Sequence, residues 1–292
     1  MDLQIDALSK RYPSGVQALT EVSLTVQPGM FGLLGRNGAG KSTLMRILAT
    51  LQEADQGSAK LGELDLLRDK QGLRQILGYL PQEFGVYPKT SAEDLLDHLA
   101  RCKGLAERGL RREAVGALLQ RTNLWEVRKR PLGSFSGGMK QRFGIAQALI
   151  GDPRLLIVDE PTAGLDPEER VRFHNLLSEI GENVIVILST HIVSDVMDLC
   201  RQMAILHGGR VIVSGAPEEL TAALRGQIWT ATIERGKLSE YQARHRVIST
   251  RLRYGQTLLH VFAEACPGAE FSPVEPELED AYFHAVYAGN KQ

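Results

Sequence analysis

Short runs of alternating apolar and polar residues open the chain. Leu3 to Leu8, and then Val22-Ser23-Leu24-Thr25-Val26, repeat with the period of two that turns one face of a β-strand towards a core. Met30 to Leu34 is a further strand, ending in a glycine-rich turn. Behind that turn the spacing changes, because Leu44, Ile47 and Leu51 stand three or four residues apart and predict a helix from Lys41 towards Leu51. From about Glu83 to Asp152 the pattern stays helical: Thr90 and Glu93 form a capping-box pair ahead of Leu95, Leu96 and Leu99, and Met139 to Ile150 reads as another helix, closed by Gly151. Leu155 to Val158 and Val184 to Leu188 are continuous apolar runs, as expected of parallel strands buried on both faces, with a helix between them at about Glu168 to Ile180. Met203 to Leu206 and Val211 to Val213 flank a His207-Gly208-Gly209 turn. After about Leu224 come three more alternating strands, Ile228 to Ile233, Val247 to Leu252 and Leu258 to Phe262. An acidic stretch of Glu275, Glu277, Glu279 and Asp280 then opens a last helix bearing Tyr282, Phe283 and Val286.

Composition narrows the class. At 292 residues, 43% hydrophobic and 24% charged, the chain can bury one sizeable core and a second small unit. No apolar run approaches the roughly 20 residues of a membrane-spanning helix. Met1 to Asp6 carries two acids and no basic residue, so no secretory signal is expected there. Cys102, Cys200 and Cys266 form neither an even set nor a Cys-x-x-Cys pair; buried or idle thiols in a reducing compartment, and no zinc site, are expected. The net charge of −1 gives nucleic acid no place among the expected partners. From Arg101 to Arg142 eleven Lys and Arg outnumber three Glu, an imbalance read as a solvated helical face, with anionic headgroups as the other candidate neighbour.

Gly35-Arg36-Asn37-Gly38-Ala39-Gly40-Lys41-Ser42 has the spacing of a phosphate-binding loop, and the predicted strand before it and helix after it supply the required setting. Glycines let successive backbone N–H groups curl around phosphate oxygens, and the positive end of the helix dipole adds to the attraction. In that role Lys41 contacts the β- and γ-phosphates of a nucleotide, Ser42 ligates magnesium, and Thr43 follows in the same turn. Leu155-Leu156-Ile157-Val158-Asp159-Glu160 is an apolar strand ending in two acids, which puts carboxylates at the sheet edge beside the phosphates. Asp159 is the expected support for magnesium, and Glu160 is then free to act on water.

A third element separates this chain from other phosphate-loop enzymes. Phe135-Ser136-Gly137-Gly138-Met139, continued by Lys140-Gln141-Arg142, resembles the signature segment of the ATP-binding cassette family, and it stands before the Asp-Glu strand as it does there. Physically, Ser136, Gly137 and Gly138 open a helix and make a second anion-facing N-terminus. The resemblance spans roughly residues 1 to 224. It implies ATP and magnesium as ligands and a head-to-tail pair, with a second copy or a homologous cassette, in which each ATP lies between one phosphate loop and the partner's Ser136. It further implies that Tyr12, with Val16, meets the adenine. Gln82 touches magnesium and water, Asp166 lies in the loop that crosses the interface, and His191 contacts the γ-phosphate. The departures are Phe135 for Leu, Met139 for Gln, and Ala163-Gly164 where Ser-Ala is frequent.

The fold so implied is α/β: a phosphate-loop NTPase (RecA-like) core with an antiparallel β subdomain and an α-helical subdomain inserted at about 83–152, together spanning 1–224, plus a small C-terminal α/β appendage at 225–292. The function implied is an ATPase subunit lying on the cytoplasmic face of the membrane through polytopic permease subunits. The Met-Lys-Gln-Arg continuation and Val274-Glu275-Pro276-Glu277-Leu278-Glu279-Asp280 resemble the branch that exports drugs and polysaccharides. A cassette ATPase acting on ribosomes or DNA, and a small-molecule kinase, are the rival readings. The first usually pairs two cassettes in one chain or inserts long coiled coils, and the second leaves the Ser-Gly-Gly segment and His191 unexplained.

Overall fold

A computed structural model describes residues 1–181 and 184–289. Two strands, β1 (Leu3–Arg11) and β2 (Gln17–Val26), form an antiparallel hairpin whose turn is closed by hydrogen bonds from Tyr12 N to Val16 O and from Gly15 N to Tyr12 O, both 2.9 Å. β3 (Gly29–Leu34) runs straight into the glycine turn and helix α1 (Lys41–Leu48). That helix is shorter than its apolar spacing predicts: Thr50 takes a left-handed φ of 61° and Leu51, expected to pack, is 65% exposed. β4 (Gln56–Leu61) and β5 (Leu64–Asp65) complete a four-stranded sheet in the order β2-β1-β4-β5.

Helix α2 (Lys70–Ile76) leads to β6 (Leu77–Leu80), and three helices follow, α3 (Ala92–Cys102), α4 (Arg108–Arg121) and α5 (Gly137–Ala148). The cap of α3 is Ser91, whose side chain accepts from Asp94 N, so the capping pair lies one residue beyond the expected Thr90 and Glu93. The register follows from packing, since it turns Ala92, Leu95, Leu96 and Ala100 into a small core with Val115, Leu119, Phe135 and Phe143. Phe135 is thus held in the helical core while Ser136 and Gly137 stay exposed.

The chain then alternates: β7 (Leu155–Asp159), α6 (Pro167–Ile180), β8 (Ile185–Thr190), α7 (Val193–Leu199), β9 (Gln202–His207), β10 (Arg210–Gly215) and α8 (Pro217–Ala222). The central sheet has the order β10-β9-β3-β8-β7-β6, parallel except for β10. Its inner strands β3, β7 and β8 are buried on both faces, and the two faces sort by alternate residues. Phe31, Leu33, Leu155, Ile157, Ile185 and Ile187 meet α1 and the antiparallel sheet, whereas Met30, Leu34, Leu156, Val158, Val186 and Leu188 meet α5, α6 and α7. The inward ends of β3, β7 and β8 therefore deliver the phosphate loop, Asp159-Glu160 and Thr190-His191 to one edge of the sheet.

The remaining residues form β11 (Ile228–Ile233), α9 (Leu238–Arg244), β12 (Val247–Arg253), β13 (Gln256–Phe262), β14 (Ser272–Pro273) and α10 (Leu278–Gly289). The strands make a third sheet, β12-β13-β11-β14. Helix α10 returns to the core, where Leu278, Ala281, Tyr282 and Ala285 join the cluster of Leu34, Val196, Met203 and Ile205. Among the described residues no helix is long and apolar enough to cross a membrane.

Candidate functional site

Two of the glycines between β3 and α1, Gly35 and Gly40, are required by their surroundings. A Cβ at Gly35 would stand 2.5 Å from Leu206 O, and one at Gly40 2.5 Å from Ala18 O with the backbone at φ 108°. Only glycine fits either position, and Gly40 then caps α1 in the left-handed region. The loop walls a cleft of about 390 Å³ together with Tyr12, Val16, Lys41, Ser42, Thr43, Gln82 and Glu160.

Lys41 is 5% exposed, so its ammonium needs partners close by. Its Nζ donates to Gly35 O at 2.6 Å and to Arg36 O at 3.4 Å, and lies 3.4 Å from Glu160 Oε1. Glu160, 8% exposed, also accepts from Gln82 Nε2 at 3.3 Å and has His191 Nδ1 3.2 Å from Oε2. It sits at φ 47°, a left-handed conformation uncommon for a residue with a side chain, fixed by its N–H donating 2.9 Å to Ser189 O. That turn swings the carboxylate off the end of β7 and into the cleft. Asp159 stays behind it, 3% exposed, and accepts from the Ser189 hydroxyl. Tyr12 reaches the first turn of α1 by its hydroxyl, which is 3.1 Å from both Thr43 Oγ1 and Gln52 Oε1.

Ser136, Gly137, Gly138 and Asp166 do not line this cleft. Ser136 caps α5 by accepting from Met139 N at 3.2 Å, and Asp166 caps α6 by accepting from Glu169 N at 2.8 Å. The two caps are tied together, because Arg142 on α5 pairs with Glu169 on α6 at 3.4 Å and a Cβ on Gly138 would strike that same Glu169. Gly137 by contrast faces open space.

The family model described as ABC transporter matches residues 19–163. An uncharacterized ABC transporter ATP-binding protein of Bacillus subtilis, YxlF, is 35% identical over 233 residues, which are 80% of this chain and 77% of that protein. The chain belongs to the ABC transporter family. A probable multidrug ABC transporter ATP-binding protein of Escherichia coli, YbhF, is 34% identical over 79% of this chain, and the match spans only 40% of that relative's length. The solved structure of an ATP-binding subunit of an ABC transporter superposes with a TM-score of 0.68 at 29% identity, covering 76% of this chain and 93% of that one.

One residue escapes the motif reading. Asp195, on α7, is fully buried and accepts from Thr162 Oγ1 at 2.6 Å, Thr190 Oγ1 at 3.2 Å and Arg170 Nη2 at 2.6 Å, with His174 Nε2 at 2.9 Å. It thereby pins the segment just after Glu160, the turn bearing His191, and α6. The sequence signal is slight, an acid four residues after His191 that follows Ile192, Val193 and Ser194. Burial pushes its carboxyl upward, but the hydrogen bonds from His174, Thr162 and Arg170 and the guanidinium charge outweigh this and hold it below the ordinary value. Asp195→Ala is expected to lower stability by about 3 kcal/mol or more, since it orphans a partly buried cation. Because the folded value is depressed, this contribution is present above the unfolded carboxyl pKa and disappears as pH falls through the folded one. Urea unfolding of both proteins at neutral pH and in acid measures the shrinking difference.

Burial, with the charge of Asp195 adding to it, pushes the Cys200 thiol up to about 12, whereas Cys102 and Cys266 are exposed rather than buried. A thiol reagent is therefore expected to label two cysteines in the native chain and three in denaturant.

Proposed function

We propose that this cassette works as one of a pair, binding ATP between the phosphate loop of one copy and Ser136 of the other and hydrolysing it to drive a polytopic membrane permease. The observation that carries this reading is the convergence on Glu160 of Lys41, Gln82 and His191 from three separate elements. A carboxylate so placed can orient and polarise a water beside the γ-phosphate, Lys41 can follow the charge of the transferring group, and His191 and Gln82 align the water. Tyr12 and Val16 stand at the mouth of the same cleft as the surface for adenine.

The donors expected for magnesium fit a hard cation. Ser42 offers a hydroxyl, Asp159 a carboxylate, and Gln82, whose amide nitrogen is turned to Glu160, its remaining carbonyl oxygen. Among the described residues no cluster of three acidic, His or Cys side chains would hold a metal alone, which suits an ion shared with phosphate oxygens. Magnesium, when bound, neutralises charge on the β- and γ-phosphates.

The names of the relatives, and the tail from Val274 to Asp280, favour an exporter. Such a chain would lie on the cytoplasmic face through its permease. Residues 1–224 would form the cassette proper, with 225–292 attached. The test is purification of the tagged chain from mild detergent extracts of its native cells: a polytopic membrane protein and magnesium-dependent phosphate release are expected, and ribosomes or a phosphorylated small molecule would contradict the proposal.

A further inference from the structure

The two oxygens of Asp195 serve different neighbours. Oδ1 belongs to α6, accepting from Arg170 Nε at 2.9 Å and Nη2 at 2.6 Å, with His174 Nε2 at 2.9 Å. Oδ2 accepts from two buried hydroxyls that come from different strand ends, Thr162 Oγ1 at 2.6 Å and Thr190 Oγ1 at 3.2 Å. The guanidinium and imidazole on the first side make the buried charge tolerable. The second side is free to hold two loops in register with each other.

Each of those loops carries a residue of the proposed chemistry. Thr162 stands two positions after Glu160, and its carbonyl accepts from Leu165 N at 3.2 Å, so it opens the turn of Ala163, Gly164 and Leu165 that leads to Asp166. Thr190 ends β8 directly before His191. Its hydroxyl gives its proton to Asp195 and accepts from Ile192 N at 2.9 Å, while Asp195 N donates to Ile192 O at 3.2 Å. The backbone on both sides of His191 is thereby bracketed. The His191 side chain itself is 46% exposed, so this bracket is what aims its Nδ1 at Glu160 Oε2, 3.2 Å away.

We infer that Asp195 is a positioning residue for hydrolysis: through Thr190 it sets His191 against Glu160, and through Thr162 it locks that geometry to the turn ahead of Asp166. One buried carboxylate then joins the turn proposed to face a second copy to the imidazole proposed to align the water. This rests on the reading that Glu160 acts on water beside a bound nucleotide. The chemical step is sensitive to such a link, because a misplacement of about 1 Å can cost on the order of a hundredfold in rate. Binding draws on the phosphate loop after β3 instead, so affinity for ATP should be indifferent to it.

Thr162→Val and Thr190→Val exchange a hydroxyl for a methyl and leave Asp195 paired with Arg170 and His174. In the full chain at saturating ATP and magnesium, each is expected to lower kcat for phosphate release about tenfold, with the Kd for ATP from calorimetric titration unchanged. In a His191→Ala background Thr190→Val should lower kcat by less than about twofold more, as expected of residues acting in series. Ile233→Val, a core change in the third sheet that costs about 1 kcal/mol of stability, should leave kcat unchanged, which separates misplacement from mere destabilisation. Wild-type kcat in either threonine variant, an equal fall for Thr190→Val with and without His191, or an equal fall in Ile233→Val, overturns the inference. A wild-type chain that binds ATP and magnesium but releases no phosphate would instead overturn the reading of the site.

Discussion

The Glu160→Gln chain is expected to bind ATP normally and to hydrolyse it on the order of a thousandfold more slowly than wild type. Gln is isosteric with Glu, so an amide at this position keeps the turn at the end of β7 and can still accept from Gln82 and Lys41. What it loses is the negative charge, and with it the ability to polarise water. Nothing else in the cleft can replace that charge: Asp159 lies behind Glu160, buried and engaged by Ser189. Hydrolysis is what reopens the pair in this mechanism, so the variant should accumulate as an ATP-bound dimer. Phosphate release measures the first effect and the mass on a sizing column with magnesium and ATP the second. Ordinary turnover by this variant would remove Glu160 from its role.

Lys41→Ala is expected to act earlier, at binding. A charge-assisted hydrogen bond contributes about 1.5–3 kcal/mol, so affinity for ATP should fall roughly 10- to 100-fold and hydrolysis should be lost. The ammonium is reachable because its present partners are two carbonyls of its own loop and Glu160, groups that β- and γ-phosphate oxygens can displace. Adenosine, which lacks phosphates, should bind wild type and variant alike. Titration with ATP and adenosine separates a lost phosphate contact from a collapsed site, in which both affinities would drop.

The parts of this site that were legible from sequence are those where backbone chemistry restricts the residue. Gly35 and Gly40 must be glycine because carbonyls stand 2.5 Å from where a Cβ would be, and that constraint leaves a spacing in the chain. The alternation of β3, β7 and β8 between two buried faces likewise shows as continuous apolar runs. Positions set by tertiary packing were harder. The cap of α3 moved from Thr90 to Ser91 because Leu95 and Leu96 must face Phe143, a residue over forty positions away. Leu51 looked like the next core residue of α1, yet Thr50 ends the helix before it.

Buried acids were the least legible. In sequence Asp195 and Asp280 look like surface residues, and only their distant partners, Thr162 and Arg170 for one and His260 for the other, make their burial tolerable. Ser136 and Asp166 present the opposite case. Their motifs were plain, but within one chain they cap helices and leave the cleft to others, so their proposed role depends on a second molecule.

That dependence can be measured directly. In a chain carrying Cys102→Ser, Cys200→Ala and Cys266→Ser, together with Glu160→Gln to hold the bound state, Asn37→Cys would lie in the phosphate loop and Gly137→Cys at the exposed start of α5. Mild oxidation with magnesium and ATP is expected to join two chains through these two positions, and to join none without nucleotide. Exclusively monomeric product under both conditions, from a protein shown to bind ATP, would contradict a nucleotide shared between two copies.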